Sequence, residues 1–434
     1  MRAPQVGGRT RREVWSYLRG LSVSQWLLLL YPVVIRLVSR SRAPEQAFEV
    51  DTSAMVQVAF TAACGLYVLR LLQRRKAPVK VILFRKPMVW LLVYGLVAMT
   101  SAVWSERPDF TLYRAAELTI FLVLSVDAMV RAREPVAMVK LQMVFAAIVI
   151  VLGMLLPSGF SILEMHSSEV PGTIVGVAFL GFLVRGLLWR SLYLAIVLAI
   201  ILGTSAGTFV SVLVGLGVML LCLRGRWAPV GALLLTGILG LGVVSNFDFD
   251  RYIFWGKTEA QIRTGSGRLL VWEWVLRERV SERPVLGYGF GMGETLARTS
   301  DPSESTLQMM HMHSAGMSAV ANLGAVGLFL LLMLLFNVGR DVWGLSRARA
   351  GPLLVAATAA VAVNSQMVAS VTSSMSVAAI GHDLVLATVA VASYLAMQRA
   401  RRVSAGTSGV STAGNTGQVR RSFIGRPSVA GSKK

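Results

Sequence analysis

Charge is scarce in this sequence, and acidic charge is scarcer still: 15% of its 434 residues are Asp, Glu, Lys or Arg, and 22 acids stand against 43 bases. Soluble domains carry about 25% charged residues. Beside a hydrophobic content of 55%, that shortage excludes a soluble globular chain. Cysteine is nearly missing. Cys64 and Cys222 both fall inside apolar runs, where they read as small packing residues rather than a disulfide pair. The N-terminus lacks the short apolar stretch and small-residue cleavage site of a secretory signal, so the first apolar run is expected to be a retained span.

What is present is a series of long apolar runs. A helix needs roughly 20 apolar residues to cross about 30 Å of hydrocarbon. Such runs recur near 21–39, 53–72, 87–104, 112–130, 136–156, 170–189, 190–205, 207–223, 227–245, 313–338, 351–371 and 377–398, about twelve in all. The formal charge of +21 raises the question of nucleic acid, and its distribution answers it. Arg2, Arg9, Arg11, Arg12 and Arg19 precede the first run, Arg74, Arg75, Lys76 and Lys80 crowd the second connection, and Arg340, Arg347 and Arg349 sit in a late one. The intervening short loops, such as Glu106 to Asp109, carry few cations. That alternation is the positive-inside pattern, so the charge sets topology and both termini are expected in the cytoplasm, with no nucleic acid as partner.

The expected fold class is all-α: a polytopic membrane protein with about 12 transmembrane helices and one large periplasmic loop that contains an amphipathic helix. Its parts are a basic cytoplasmic N-terminus (1–20), about nine spans (21–245), the loop (246–312), about three spans (313–398) and a disordered basic cytoplasmic tail (399–434). Within the loop, Leu269, Leu270, Trp272, Val275, Leu276 and Val280 recur at helical spacing between Gly267 and Pro284, which predicts the amphipathic helix.

Ionisable residues in spans default to functional hypotheses. Arg36 and Lys140 lie where snorkelling explains them. Arg114 and Glu117, three residues apart on one helical face, are spaced to pair with each other. His382 and Asp383 read either as a structural polar contact or as a site. The glycines at 287, 289, 291 and 293 give no dinucleotide fingerprint, since Met292 occupies the third position; they suit close backbone approach to a phosphate or a neighbouring segment. His311 and His313 lack a third ligand at a metal spacing, so no metal is expected. His313, at a helix start close to arginines, suits a general base, and an interfacial polar histidine is the plainer alternative.

Three groups of residues together resemble the O-antigen ligase and polysaccharide polymerase superfamily of bacterial inner membranes. They are Trp104-Ser105, Pro108, Leu112 and Arg114; Ser266-Gly267-Arg268 with Trp272, Pro284 and Gly287-Tyr288-Gly289-Phe290-Gly291; and His313-Ser314 with Met317, Val320, Asn322, Leu323, Gly324 and Gly327. Ser314 stands where the family usually has Asn, and Ala206 where ligase-like members often carry Arg. The resemblance implies glycosyl transfer between lipid-linked saccharides at the periplasmic face, without cofactor or metal and with inversion at the anomeric carbon. It implies an undecaprenyl-diphosphate-linked donor and a lipid-linked acceptor, or lipid A-core for a ligase, in the company of membrane lipid and of a chain-length regulator. His313 and Arg268 are then the catalytic candidates, and Arg114, Arg263, Trp272, Gly289, Gly291 and His311 the candidates for binding diphosphate or glycan. A polymerase of exopolysaccharide or O-antigen repeat units leads, a ligase follows, and a transporter is the reading from another class.

Overall fold

Lipid offers no partner to an open backbone N–H or C=O, so apolar runs of this kind fold as helices that satisfy their own backbone. The computed structural model describes residues 15–38, 51–74, 78–132, 134–155, 169–202, 206–223, 225–243, 268–293, 312, 314–347, 351–366 and 377–410, and among them every regular element is helical. In chain order these are α1 (Val23–Val38), α2 (Thr52–Gln73), α3 (Pro78–Leu83), α4 (Met88–Thr100), α5 (Pro108–Ala132), α6 (Pro135–Leu155) and α7 (Glu169–Leu180). There follow α8 (Leu187–Leu202), α9 (Ala206–Leu223), α10 (Ala228–Val243), α11 (Arg268–Trp274), α12 (Ala315–Leu345), α13 (Gly351–Ser365) and α14 (Val377–Val410).

Among the described residues, three stretches are long and apolar enough to cross a membrane: Thr52–Gln73, Pro135–Leu152 and Ala315–Leu345. Several shorter apolar helices accompany them, and the chain is a multi-pass membrane protein. The chain divides into a large unit, Met1–Ser393, and a small one, Tyr394–Lys434. In the small unit Gln398 Nε2 donates to Tyr394 Oη at 3.1 Å.

The expected elements need three corrections. The run at 170–189 is not one helix: α7 ends at Leu180, a 3-10 turn covers Gly181–Leu183, Val184 is extended, and Gly186 takes a φ of +103° before α8 begins. Phe182, Leu183 and Val184 carry the apolar run past the end of α7, and only Arg185 and Gly186 interrupt it. A short helix, α3, lies within the second basic connection and buries Val79, Ile82 and Leu83. The last helix runs on to Val410, into the stretch whose composition reads as tail. Extending a formed helix costs far less than starting one, so Ser- and Gly-rich composition does not stop it at once.

The large unit is organised around α5, which packs against α1, α2, α3 and α4. From Phe121 to Met129 every residue of α5 is buried, the mark of a helix surrounded on all faces. One end of α5 is tied by Asp127, which accepts from Arg131 Nε at 2.7 Å and from Tyr67 Oη at 2.9 Å. Beside this group, α9 packs on α10 and α13, and α13 also packs on α7 and α12. Gln142 Nε2 of α6 donates to Thr388 Oγ1 of α14 at 2.7 Å, closing the bundle across 246 residues of sequence.

Candidate functional site

The loop after α11 docks into a break in α12. Gly324 has φ 62° and ψ −151°, a backbone state open in practice only to glycine. In an unbroken helix Ala325 N would donate to Ala321 O, and Val326 N to Asn322 O. Here all four groups are re-partnered with the loop. Tyr288 N donates to Ala321 O at 3.2 Å and Gly289 N to Asn322 O at 2.9 Å, while Ala325 N donates to Pro284 O at 2.8 Å and Val326 N to Val285 O at 3.3 Å. The helix loses two internal bonds and the loop supplies both missing donors and both missing acceptors, so nothing buried goes unpaired.

Close approach is what the glycines serve. A Cβ at Gly287 would stand 2.6 Å from the Asn322 carbonyl carbon, and one at Gly289 would stand 2.7 Å from Ser105 Cβ. Gly291 abuts Phe110 and the aliphatic stem of Arg114. Among the described residues, the segments these glycines approach are those around Ser105, Phe110 and Asn322.

The same loop meets the chain around Trp104. Trp104 Nε1 donates to Leu286 O at 3.1 Å, and the buried Phe290 N donates to Ser101 Oγ at 2.9 Å. Arg283 stacks 4.7 Å above the Tyr288 ring, and the Tyr288 hydroxyl donates to the Glu282 carboxylate. Burial, helped by that carboxylate, pushes the Tyr288 phenol above its ordinary pKa, so it stays a donor. Residues near 104, near 288 and near 322 are thus one contiguous structure.

The segment whose spacing predicts an amphipathic helix folds as α11, continued by a π-helical turn at Val275–Val280. Val271 and Val275 are buried with Met312 and Ala321 in one cluster, against which Trp274, Val280 and Met317 pack. The π turn rotates the register, and Leu276, expected on the apolar face, is about half exposed. Trp272 Nε1 donates to Met312 O at 2.8 Å. The helix that begins at Arg268 is therefore bonded directly to the residue preceding His313. On the other side of His313, Ser314 caps α12: its Oγ accepts from Met317 N at 3.3 Å and donates to Gln366 Oε1 at 3.3 Å.

Of the sequence-derived site residues, Arg114, Trp272, Gly289 and Gly291 are described, Arg268 is described in its backbone alone, and Arg263, His311 and His313 lie outside the described residues. Arg114 donates to the fully buried Glu117 at 2.9 Å, the pairing their spacing allows, and lies 5.3 Å from the Phe110 ring and 5.4 Å from the Tyr113 ring. Lys140 stands over the Trp189 ring at 4.7 Å, so its charge rests on an aromatic face. His382 Nε2 lies 3.4 Å from Asn364 Oδ1, and the neighbouring Asp383 is fully buried with no hydrogen bond to either carboxylate oxygen among the described residues. Ser101 and Gln366 escaped sequence reading. A lone serine and a lone glutamine at the ends of apolar runs carry no periodic or motif signal.

No curated protein matches the chain. Residues 190–332, about a third of it, match the family model described as O-antigen ligase. The match spans α8 to the first half of α12 and so takes in α11, the docked loop and the Gly324 break, while the Trp104 and Arg114 segment lies before it. Over those residues the chain is similar to the O-antigen ligase family, in keeping with the resemblance that its motifs carry.

Proposed function

We propose that this protein is a membrane glycosyltransferase that joins undecaprenyl-diphosphate-linked oligosaccharide repeat units at the periplasmic face of a bacterial inner membrane. In this reading about twelve helices cross the bilayer, both termini are cytoplasmic, and residues 246–312 form the exported loop. The observation that carries it is the bond from Trp272 Nε1 to Met312 O at 2.8 Å, which ties the helix headed by Arg268 to the residue next to His313. In this proposal the Arg268 cation and the His313 proton acceptor, far apart in sequence, act on one substrate.

The chemistry follows from those two groups. His313 takes the proton of an acceptor hydroxyl as its oxygen attacks the anomeric carbon of the donor sugar. The bond from that carbon to the diphosphate breaks, and the electron pair leaves with the diphosphate. Arg268 matches two phosphate oxygens at once and stabilises the charge that grows there. Attack from the face opposite the leaving group inverts the anomeric carbon. No metal is needed when a guanidinium neutralises the leaving group. Arg263 and His311 are further candidates on the same loop for the glycan or the diphosphate. Arg114 contributes less than a free cation would, since Glu117 already neutralises it at 2.9 Å. Gly289 and Gly291 shape the floor through their contacts with Ser105, Phe110 and Arg114.

The second reading, transfer of finished glycan to lipid A-core, is favoured by the description of the matching family model as O-antigen ligase. Ala206, at a position where ligase-like members often carry Arg, favours polymerisation. Purified protein given a lipid-diphosphate-linked repeat unit distinguishes the readings by mass. Longer lipid-linked chains support the polymerase, glycan on lipid A-core supports the ligase, and movement of substrate with its mass unchanged supports a transporter and refutes the proposal.

A further inference from the structure

Gln366 lies just beyond α13, outside the matched family segment, yet its side chain reaches the start of α12. Its Oε1 accepts from Gly316 N at 3.2 Å and from Ser314 Oγ at 3.3 Å. A backbone N–H can only donate, so the oxygen of the amide faces α12, and Nε2 is left to donate to Ser365 Oγ at 3.3 Å. Ser365 is held in turn by its bond to Ala362 O at 2.7 Å. The first turn of a helix has four N–H groups without helical partners. In α12, Ser314 satisfies that of Met317 and Gln366 satisfies that of Gly316. A Cβ at Gly316 would come within 3.3 Å of Gln366 Oε1, so the absence of a side chain there leaves the amide its seat.

We infer that Gln366 is a positioning residue for His313, clamping the chain on its C-terminal side as Trp272 clamps it on the other through Met312 O. The two neighbours of that position are both held, Met312 by Trp272 of α11 and Ser314 by Gln366 beyond α13. A proton acceptor must sit within hydrogen-bond reach of its donor, and small misplacements cost rate rather than binding. Gln366 touches no reacting atom and acts through Ser314 and Gly316.

This inference rests on the glycosyltransferase reading, and its test separates the two. Gln366→Leu removes the acceptor, Gln366→Asn keeps the amide on a shorter arm, and Gln366→Glu keeps the arm and the acceptor oxygens. Hydrogen exchange of the peptide covering 312–318 in the full-length protein in nanodiscs reads the clamp without any substrate. The Leu and Asn variants are expected to exchange about fivefold faster at Gly316, the effect of losing one hydrogen bond, and the Glu variant to exchange as wild type. Turnover of the lipid-diphosphate-linked repeat unit then reads the role: kcat falls about tenfold or more in Leu and Asn with KM near wild type, and Glu recovers most of it. Unchanged exchange overturns the clamp. Faster exchange with full kcat, or a loss confined to KM, overturns the positioning role. A wild-type protein inert on the saccharide sinks the glycosyltransferase reading instead, and the positioning role with it, while exchange still decides the clamp.

Discussion

Gly324→Ala tests the exchange of hydrogen bonds between α12 and the loop. The φ of 62° with ψ of −151° costs a residue with a Cβ about 1–3 kcal/mol. The new Cβ would also stand 2.4 Å from the Val285 carbonyl carbon, so the loop must withdraw. Withdrawal breaks Ala325 N to Pro284 O and Val326 N to Val285 O, each worth about 1 kcal/mol net. The sum is about 3–5 kcal/mol against the docked loop. Hydrogen exchange at Tyr288 and Gly289 is then expected to accelerate about a hundredfold or more, with a lowered melting temperature in detergent. Gly339→Ala is the control: nothing lies within 4 Å of a Cβ there, and the change is expected to be neutral or to stabilise by up to about 1 kcal/mol. Exchange at 288 and 289 unchanged in Gly324→Ala would refute the argument that the break in α12 is completed by the loop.

Three further outcomes are expected. Trp272→Phe keeps an aromatic ring but removes the donor to the carbonyl of the buried Met312, so stability falls by about 1–3 kcal/mol in chemical denaturation and turnover falls more than binding. Ser101→Ala leaves the N–H of the fully buried Phe290 without its acceptor, and exchange at Phe290 accelerates while the exchange of α9 and α13 is unaltered. Arg268→Lys keeps the charge and loses the planar fork, so kcat on the lipid-linked saccharide drops about a hundredfold, and activity equal to wild type would remove Arg268 from the diphosphate.

Much of the architecture is legible in the apolar runs, because a helix buried in lipid or in other helices needs little beyond apolar side chains of sufficient length. Arg114 and Glu117 were legible too, since a spacing of three places them on one face and nothing nearer competes for either. The break between Leu180 and Leu187 was legible only in part: Arg185 and Gly186 mark a connection, but Phe182, Leu183 and Val184 before them are as apolar as the helix they leave. The π turn that exposes Leu276 escaped for a related reason: one inserted residue's worth of rotation leaves composition unchanged. The geometry around the docked loop was not legible. The re-pairing of Ala321, Asn322, Ala325 and Val326 with residues 284–289 joins segments some forty residues apart, and no local pattern announces which carbonyl a loop N–H will find. Gln366 depends on the same kind of distant partnership.

The most direct measurement uses sealed right-side-out membrane vesicles supplied from outside with a water-soluble short-chain lipid-diphosphate-linked saccharide. Longer product should form with the wild-type protein and fall by at least about a hundredfold with His313→Ala inserted at equal amount. Product that forms only in inverted vesicles, or equally with His313→Ala, would contradict the account.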